Sequence, residues 1–198
     1  MNYSRYFVVY KPFQTLSQFT SQDNKHTLKD FFPVPSDIYP VGRLDFDSEG
    51  LLILTNDTSL NHKLLNPNFA HSREYWLQVD GAITGSAVEQ LQKGVDINIS
   101  GKIYRTQKCI AEIFTKEPKM PERHPPIRFR KDIPAPWIKI ILNEGKNRQV
   151  RKMCANVGFP VLRLVRVRIE NITLESIQPG GMREVSKAEI AKGLKIKL

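Results

Sequence analysis

The chain has 198 residues, 40% of them hydrophobic and 25% charged, and its 30 Lys and Arg against 20 Asp and Glu give a net charge of +10 and a pI near 9.7. That length supplies one substantial core, or one domain folded as two lobes, and the composition is ordinary for a soluble globular protein. Cys109 and Cys154 form no CxxC pair, the four histidines (His26, His62, His71, His124) lack metal-ligand spacing, and no apolar stretch nears the ~18 residues of a membrane span, so a disulfide scaffold, a zinc module and a membrane-spanning helix are not expected.

The segment Met1 to Arg5 lacks the marks of a signal peptide, and with two dispersed cysteines a cytoplasmic location with reduced thiols is expected. Tyr6 to Tyr10 (YFVVY) is β-branched and aromatic and predicts a strand stopped by Lys11-Pro12. Thr27 to Phe32 predicts a short helix, closed by Pro33-Val34-Pro35. A strand over Leu51–Thr55 ends at Asn56-Asp57, where Asp57 or Thr58 caps a helix through Leu65, stopped by Asn66-Pro67. Glu74 to Val79 alternates in period two and predicts a strand with one face buried. Thr84 caps a helix through Lys93, with Val88 and Leu91 inward and Gly94 ending it.

Short strands and turns follow from Val95 to Phe114. The stretch 115–136 differs in kind: its core, Lys116 to Lys131, holds six Lys or Arg, two Glu and four prolines with little apolar periodicity. That composition predicts a basic, semi-rigid surface loop. Trp137 to Leu142 is a strand and Asn143-Glu144-Gly145 a turn. Asn147 is placed to cap a helix over Arg148–Val157, where Val150, Met153, Cys154 and Val157 share one face. Strands at Val161–Ile169 and Asn171–Leu174 precede a capping box, Ser186-x-x-Glu189, that opens a last helix. Strands and helices without a regular βαβ rhythm predict an α+β fold with a mixed, mainly antiparallel sheet flanked by helices and loops.

The charge is clustered. Between Gly145 and Ile169 stand seven basic residues, Lys146, Arg148, Arg151, Lys152, Arg163, Arg166 and Arg168, and no acidic one. Arg148, Arg151 and Lys152 share the polar helix face, and Arg166 and Arg168 share a strand face. A one-sign surface on two successive elements repels itself unless a polyanion relieves it, which points to nucleic acid. No segment resembles a major-groove reader, a zinc finger or a KH loop, so an enzyme acting on RNA is expected before a sequence reader of DNA.

A turn, Gly42-Arg43-Leu44-Asp45-Phe46-Asp47-Ser48-Glu49-Gly50, sets a carboxylate directly before the apolar run Leu51-Leu52-Ile53-Leu54. A carboxylate at a turn beside a rigid strand is a common way to aim a reactive group. Taken alone, the turn admits other readings. A calcium loop would need a bidentate Glu where Asn56 stands, a metal nuclease would need further carboxylates, and a purely structural, solvated turn remains open.

Five segments in register remove that last alternative: Tyr6–Pro12 (YFVVYKP), GRLDFDSEGLLILTND from Gly42, Arg73-Glu74-Tyr75, EGKNRQVRKM from Glu144, and GFPVLRLVR from Gly158. Together they resemble the pseudouridine synthases of small- and large-subunit ribosomal RNA, over residues 5 to about 186. Many members carry an N-terminal S4 RNA-binding domain of about sixty residues, whereas here the first catalytic strand begins almost at Met1. That difference, with Lys11–Thr20 and Pro125–Lys131, is most similar to the large-subunit branch that lacks the S4 domain.

The resemblance implies a single catalytic domain over residues 1–198, with two lobes around a central catalytic cleft and the basic loop 115–136 as an insertion. It also implies isomerisation of a uridine in 23S ribosomal RNA, near the peptidyl transferase centre, to pseudouridine. Neither cofactor nor metal is needed, and a monomer is expected. Asp45 is the catalytic carboxylate by this resemblance; whether it attacks C1′ or removes the 2′ proton stays open. Arg151 matches the arginine that pairs with it, and Tyr75 the tyrosine that packs against the base. Leu164 matches an apolar pocket residue, and Arg43 the position that fills the space of the flipped base. RNA binding is expected from Lys146, Arg148, Lys152, Arg163, Arg166, Arg168, Arg128 and Arg130. The alternatives are a non-catalytic rRNA-binding or assembly factor on the same fold, and a sister synthase acting on another rRNA uridine.

Overall fold

The computed structural model describes residues 3–66, 69–128 and 130–197. The strands in chain order are β1 (Tyr6–Lys11), β2 (Thr15–Leu16), β3 (His26–Thr27), β4 (Tyr39–Pro40), β5 (Glu49–Thr55), β6 (Arg73–Val79), β7 (Asp96–Ile99), β8 (Lys102–Arg105), β9 (Ile110–Ile113), β10 (Trp137–Leu142), β11 (Val161–Ile169), β12 (Ile172–Thr173) and β13 (Met182–Val185). The helices are α1 (Thr58–Leu65), α2 (Gly85–Lys93), α3 (Gln149–Asn156) and α4 (Lys187–Leu194), with one 3-10 turn over Leu28–Asp30. The class is α+β and the pairing mainly antiparallel, as the mixed pattern of the sequence predicts. The chain divides into two compact units: Met1–His71 with Arg166–Leu198, and Ser72–Val165.

In the first unit β1 lies between β5 and β13, antiparallel to both, with Lys11 opposite Gly50 and Tyr6 opposite both Thr55 and Val185. Every residue of β1 and β5 is buried, which is why neither shows polar–apolar alternation. Phe7 and Val9 of β1 meet Leu52 and Leu54 of β5 on one face, closed by Leu28, Phe32 and Ile38. Each such side chain contributes about 1.5–3 kcal/mol by leaving water. Asp57 caps α1, its Oδ1 accepting from the backbone N–H of Ser59 and Leu60 at 2.9 and 3.2 Å while Oδ2 accepts from the Tyr6 hydroxyl at 2.7 Å. Burial alone would raise the Asp57 pKa, but these hydrogen bonds hold it below the ordinary value. The Ser186–Glu189 capping box opens α4 as expected.

In the second unit β10 is flanked by β6 and β9, antiparallel to both, with Ile140 opposite Tyr75 and Ala111. Leu77, Val79, Ile138, Ile140 and Leu142 share a core with Val88 and Leu91 of α2 and Val150, Met153 and Cys154 of α3. Thr84 caps α2 and Gly94 ends it. β7 and β8 form a hairpin over Ser100-Gly101, both at positive φ (52° and 85°), the geometry of the tight turns that match strand twist.

Several boundaries depart from expectation. The helix expected at Thr27–Phe32 is a single 3-10 turn, and the strand at Asn171–Leu174 shortens to two residues. The two-residue strands β2, β3 and β4 are too short to carry any periodicity, and β13 (MREV) alternates too weakly to be seen. Asn147 does not cap α3. The cap position is Arg148, in the left-handed region at φ 51°, and the Gln149 side chain folds back to accept from the Lys146 N–H at 2.9 Å. The Pro67 part of the expected stop to α1 lies outside the described residues. Among the described residues no helix is long and apolar enough to cross a membrane.

Candidate functional site

The acidic turn is built into the first unit from both ends. Upstream, the buried Ser17 hydroxyl accepts from the Leu44 N–H at 3.0 Å and lies 2.8 Å from the Leu44 carbonyl, pinning the backbone one residue before Asp45. The Ser48 N–H donates to the Asp45 carbonyl at 3.0 Å, closing a tight turn. Downstream, Ser48 and Glu49 are only 1% and 2% exposed, and the chain passes directly into β5.

Gly50 makes that entry possible. Its φ is +110°, and a Cβ there would lie 2.3 Å from the Arg166 carbonyl oxygen and 2.7 Å from the Arg166 nitrogen. Arg166 answers across the same approach, its Nε donating to the Leu51 carbonyl at 2.8 Å. Asp45 is thus half-buried on a backbone fixed at both ends, which is what a carboxylate aimed at a reacting atom requires. Arg43, two residues earlier, is exposed.

Arg166 and Arg168 were expected on an open basic face. Arg166 is instead 5% exposed, and its guanidinium bonds the strand next to it. Arg168 is half-buried, with Nη1 donating to the Glu170 carbonyl at 2.7 Å. Buried and bonded through Nε to the neighbouring strand, Arg166 braces β11 against β5 and does not stand on an open basic face.

In the second unit Tyr75 lies on the β6 face that carries Leu77 and Val79, yet stays half-exposed while packing on the core. Leu164 is 5% exposed and belongs to that core. Arg151, on α3, is half-buried and donates from Nη1 to the Val161 carbonyl at 3.3 Å.

The basic residues sort into two kinds. Lys146, Arg148 and Arg128 are exposed and Lys152 half-exposed, whereas Arg163 is 6% exposed and donates to the Pro121 carbonyl at 2.9 Å. Arg163 with Arg123, which donates to the Leu162 carbonyl at 3.3 Å, staples the loop 115–136 to β11. Arg130 ion-pairs with Asp80, and the Trp137 indole donates to Glu117 at 3.1 Å. The loop that composition predicted as a basic surface strap is therefore tied down along its length, which costs Arg163 and Arg130 part of their expected availability to RNA.

Two residues that sequence reasoning passed over prove central. Glu144 accepts from the Tyr104 hydroxyl at 2.5 Å, the Gln107 N–H at 2.9 Å and the Gln149 amide at 2.5 Å. It ties the β7–β8 hairpin, the segment after it and the start of α3 to one point. The hydrogen bond to Glu144, with burial, pushes the Tyr104 pKa up to about 12. Lys146, on the tip so held, sets its ammonium 4.9 Å from the Tyr104 ring centre. The available signal was one acid bordering an otherwise basic segment. The other residue is Lys11, wholly buried at the end of β1, a cation closing an apolar strand.

Charge is divided unevenly. The second unit carries 17 Lys and Arg against 9 Asp and Glu, a net +8; the first carries 13 against 11, a net +2, and the two account for the chain's +10. Among the described residues no group of three or more His, Cys, Asp or Glu is arranged to hold a metal ion.

Comparison with known proteins agrees with this geometry. A family profile described as RNA pseudouridylate synthase matches residues 5–156. A Vibrio vulnificus protein named ribosomal large subunit pseudouridine synthase E is 47% identical over 176 residues, 89% of this chain and 73% of the relative. A Xanthomonas axonopodis protein of the same name is 43% identical over 171 residues, covering 85% and 87%, and the Bacillus subtilis ribosomal large subunit pseudouridine synthase B is 30% identical over 188, covering 94% and 70%. In fold, a crystal structure of a pseudouridylate synthase superposes with a TM-score of 0.78 at 24% identity, over 98% of this chain and 75% of that one. An anchored acidic turn, a strongly basic second unit and a profile match over most of its length together establish that this chain belongs to the RNA pseudouridylate synthase family.

Proposed function

We propose that this chain isomerises one uridine of 23S ribosomal RNA, near the peptidyl transferase centre, to pseudouridine, as a cytoplasmic monomer in which residues 1–198 act as one catalytic domain. The N1–C1′ bond breaks, the uracil turns, and C5 joins C1′. The carrying observation is the Asp45 turn, pinned by Ser17 on one side and by β5 on the other. The anomeric carbon becomes electron-poor as its bond to the base breaks, and a fixed carboxylate stabilises, attacks or deprotonates there. Tyr75, Arg151, Leu164 and Arg43 take the roles that the family resemblance gives them. A base inside folded RNA must first leave its stack, and the cost is met by contacts to the backbone around it.

The +8 of the second unit supports RNA binding through phosphates. Lys146 and Arg148, both exposed, and the half-exposed Lys152 form one basic group at the start of α3 that is placed for it. Replacing all three by Ala is expected to flatten the log–log salt dependence of RNA binding by roughly 2 units, at about 0.7–0.9 per lost phosphate contact. The single-turnover rate at saturating protein should stay near wild type. Titration of a 23S transcript fragment at several salt concentrations reads both.

Purified protein mixed with 23S and, separately, 16S transcripts tests the function itself. Pseudouridine at one 23S position supports the proposal. Modification confined to 16S would make the chain a sister synthase, and binding without conversion would make it an assembly factor.

A further inference from the structure

From Pro136 to Ile169 the chain has eight basic residues and a single acid, Glu144. If that stretch served only to collect positive charge for RNA, Glu144 would work against it, since a carboxylate among phosphate-binding cations repels the ligand they attract. Its contacts give it another use. Oε1 accepts from the Gln107 N–H at 2.9 Å and from the Gln149 amide at 2.5 Å, and Oε2 accepts from the Tyr104 hydroxyl at 2.5 Å. Donors from three segments thus meet on one half-buried side chain.

Both backbone segments that it joins are held by bonds of their own. Gln107-Lys108 is a two-residue bridge between β8 and β9: the Thr106 N–H donates to the Val95 carbonyl at 3.0 Å and the Cys109 N–H to the Gln92 carbonyl at 3.1 Å. On the other side the buried Gln149 accepts through Oε1 from the Lys146 N–H at 2.9 Å, and its own N–H donates to the Lys146 carbonyl at 3.1 Å. That reciprocal pair closes the tip 146–149 and leaves Arg148 at φ 51°, a conformation that a residue with a side chain keeps only where its neighbours impose it. The side chains of Glu144 and Gln149, bonded to each other, link bridge to tip. Lys108 on the bridge and Lys146 and Arg148 on the tip are exposed, and the Lys146 ammonium lies 4.9 Å from the centre of the Tyr104 ring.

We propose that Glu144 is a positioning residue for RNA binding: it docks the 146–149 tip on the 107–108 bridge, so that Lys108 joins Lys146 and Arg148 in one surface that meets RNA phosphates at a fixed spacing. This rests on the reading of the chain as an enzyme that binds RNA through its phosphates. A preset array of cations avoids the ordering cost that a loose one meets on binding, and that gain outweighs one repulsive charge. Glu144 acts through the backbone it holds.

The sign of one substitution separates this role from charge alone. Glu144→Ala removes a negative charge, so Coulomb attraction alone would tighten RNA binding; loss of the dock should instead weaken it by about threefold to tenfold. Glu144→Gln keeps an oxygen for the Gln107 and Gln149 donors and an amide from which the Tyr104 hydroxyl can accept, and should bind at least as tightly as wild type. Lys108→Ala, a change at an exposed side chain, should flatten the log–log salt dependence by roughly 0.7–0.9 in the wild-type background and by about half of that or less beside Glu144→Ala. Lys102→Ala, exposed next to the Ser100-Gly101 turn, should leave the slope as it is. Titration of a 23S transcript fragment at several salt concentrations, with the thermal midpoint of each variant, reads all of these. Tighter binding by Glu144→Ala overturns the proposal, as does a Glu144→Gln as weak as Glu144→Ala. So does a Lys108→Ala slope equal to wild type, an equal Lys108 effect in both backgrounds, or an equal effect from Lys102→Ala. The Lys108→Ala slope decides even where Glu144→Ala does not fold. If wild type binds the fragment and converts a uridine while Lys108→Ala matches it, only the role of Glu144 fails; a wild type that neither binds nor converts the fragment overturns both.

Discussion

Asp45→Asn is expected to lower the single-turnover rate of pseudouridine formation by about a thousandfold or more, with the RNA Kd unchanged within about twofold. Asn has the shape of Asp, and the contacts that hold the turn are made by backbone: the Leu44 amide and carbonyl on Ser17, and the Ser48 N–H on the Asp45 carbonyl. The turn therefore survives the change and only the charge is lost. That charge matters most once positive character has built up at C1′, so its removal falls on the rate and not on ground-state binding. In the proposed reading affinity comes from the unit with 17 basic residues, where Asp45 does not lie. Filter binding beside single-turnover conversion separates the two quantities. Comparable losses in both would mean that Asp45 shapes the RNA surface.

Gly50→Ala is expected to cost roughly 2–6 kcal/mol of stability, which combines about 1–3 for forcing a side chain into a positive-φ backbone with about 1–3 for overpacking. The contact atoms are the backbone oxygen and nitrogen of Arg166, at 2.3 and 2.7 Å from the added Cβ, and backbone in a strand cannot step aside as a flexible side chain would. Against a typical domain stability of about 5–15 kcal/mol, such a loss removes a large share of the margin that keeps the protein folded. Urea unfolding should show a midpoint far below wild type. A midpoint near wild type would show that β5 enters the sheet in a different way.

Much of the fold was legible because its longer elements carry strong local signals. β10 and β11 match their predicted spans residue for residue, and the caps Asp57, Thr84 and Ser186 lie where side-chain chemistry puts them. Two-residue strands such as β2 and β4 have no period to detect and exist only because β3 and β5 are there to pair with. The α3 cap was misread for a related reason. Asn147 has the right chemistry, but Gln149, drawn to Glu144 by the fold, takes over the local bonding.

The candidate site shows the same division. The placement of Asp45 before a rigid strand could be read from GRLDFDSEGLLIL, since a turn and an apolar run are local facts. The fates of the arginines could not. Arg163, Arg166 and Arg148 look alike in sequence, yet the first two are turned inward onto the Pro121 and Leu51 carbonyls while Arg148 is exposed. Which basic residue faces solvent is decided by strand register and by the loop 115–136, and neither is encoded near the residue itself. Lys11 was hidden in the same way: a lysine at a strand end is ordinarily solvated, and only the packing of β5 and β2 around it makes it a buried charge.

The most direct test of the account is a pseudouridine map of ribosomal RNA from cells with the gene, cells without it, and cells without it that express the Asp45→Asn chain. One 23S uridine should lose its modification when the gene is removed, regain it with the wild-type gene, and stay unmodified with Asp45→Asn. An unchanged map after removal of the gene, or full restoration by Asp45→Asn, would contradict it.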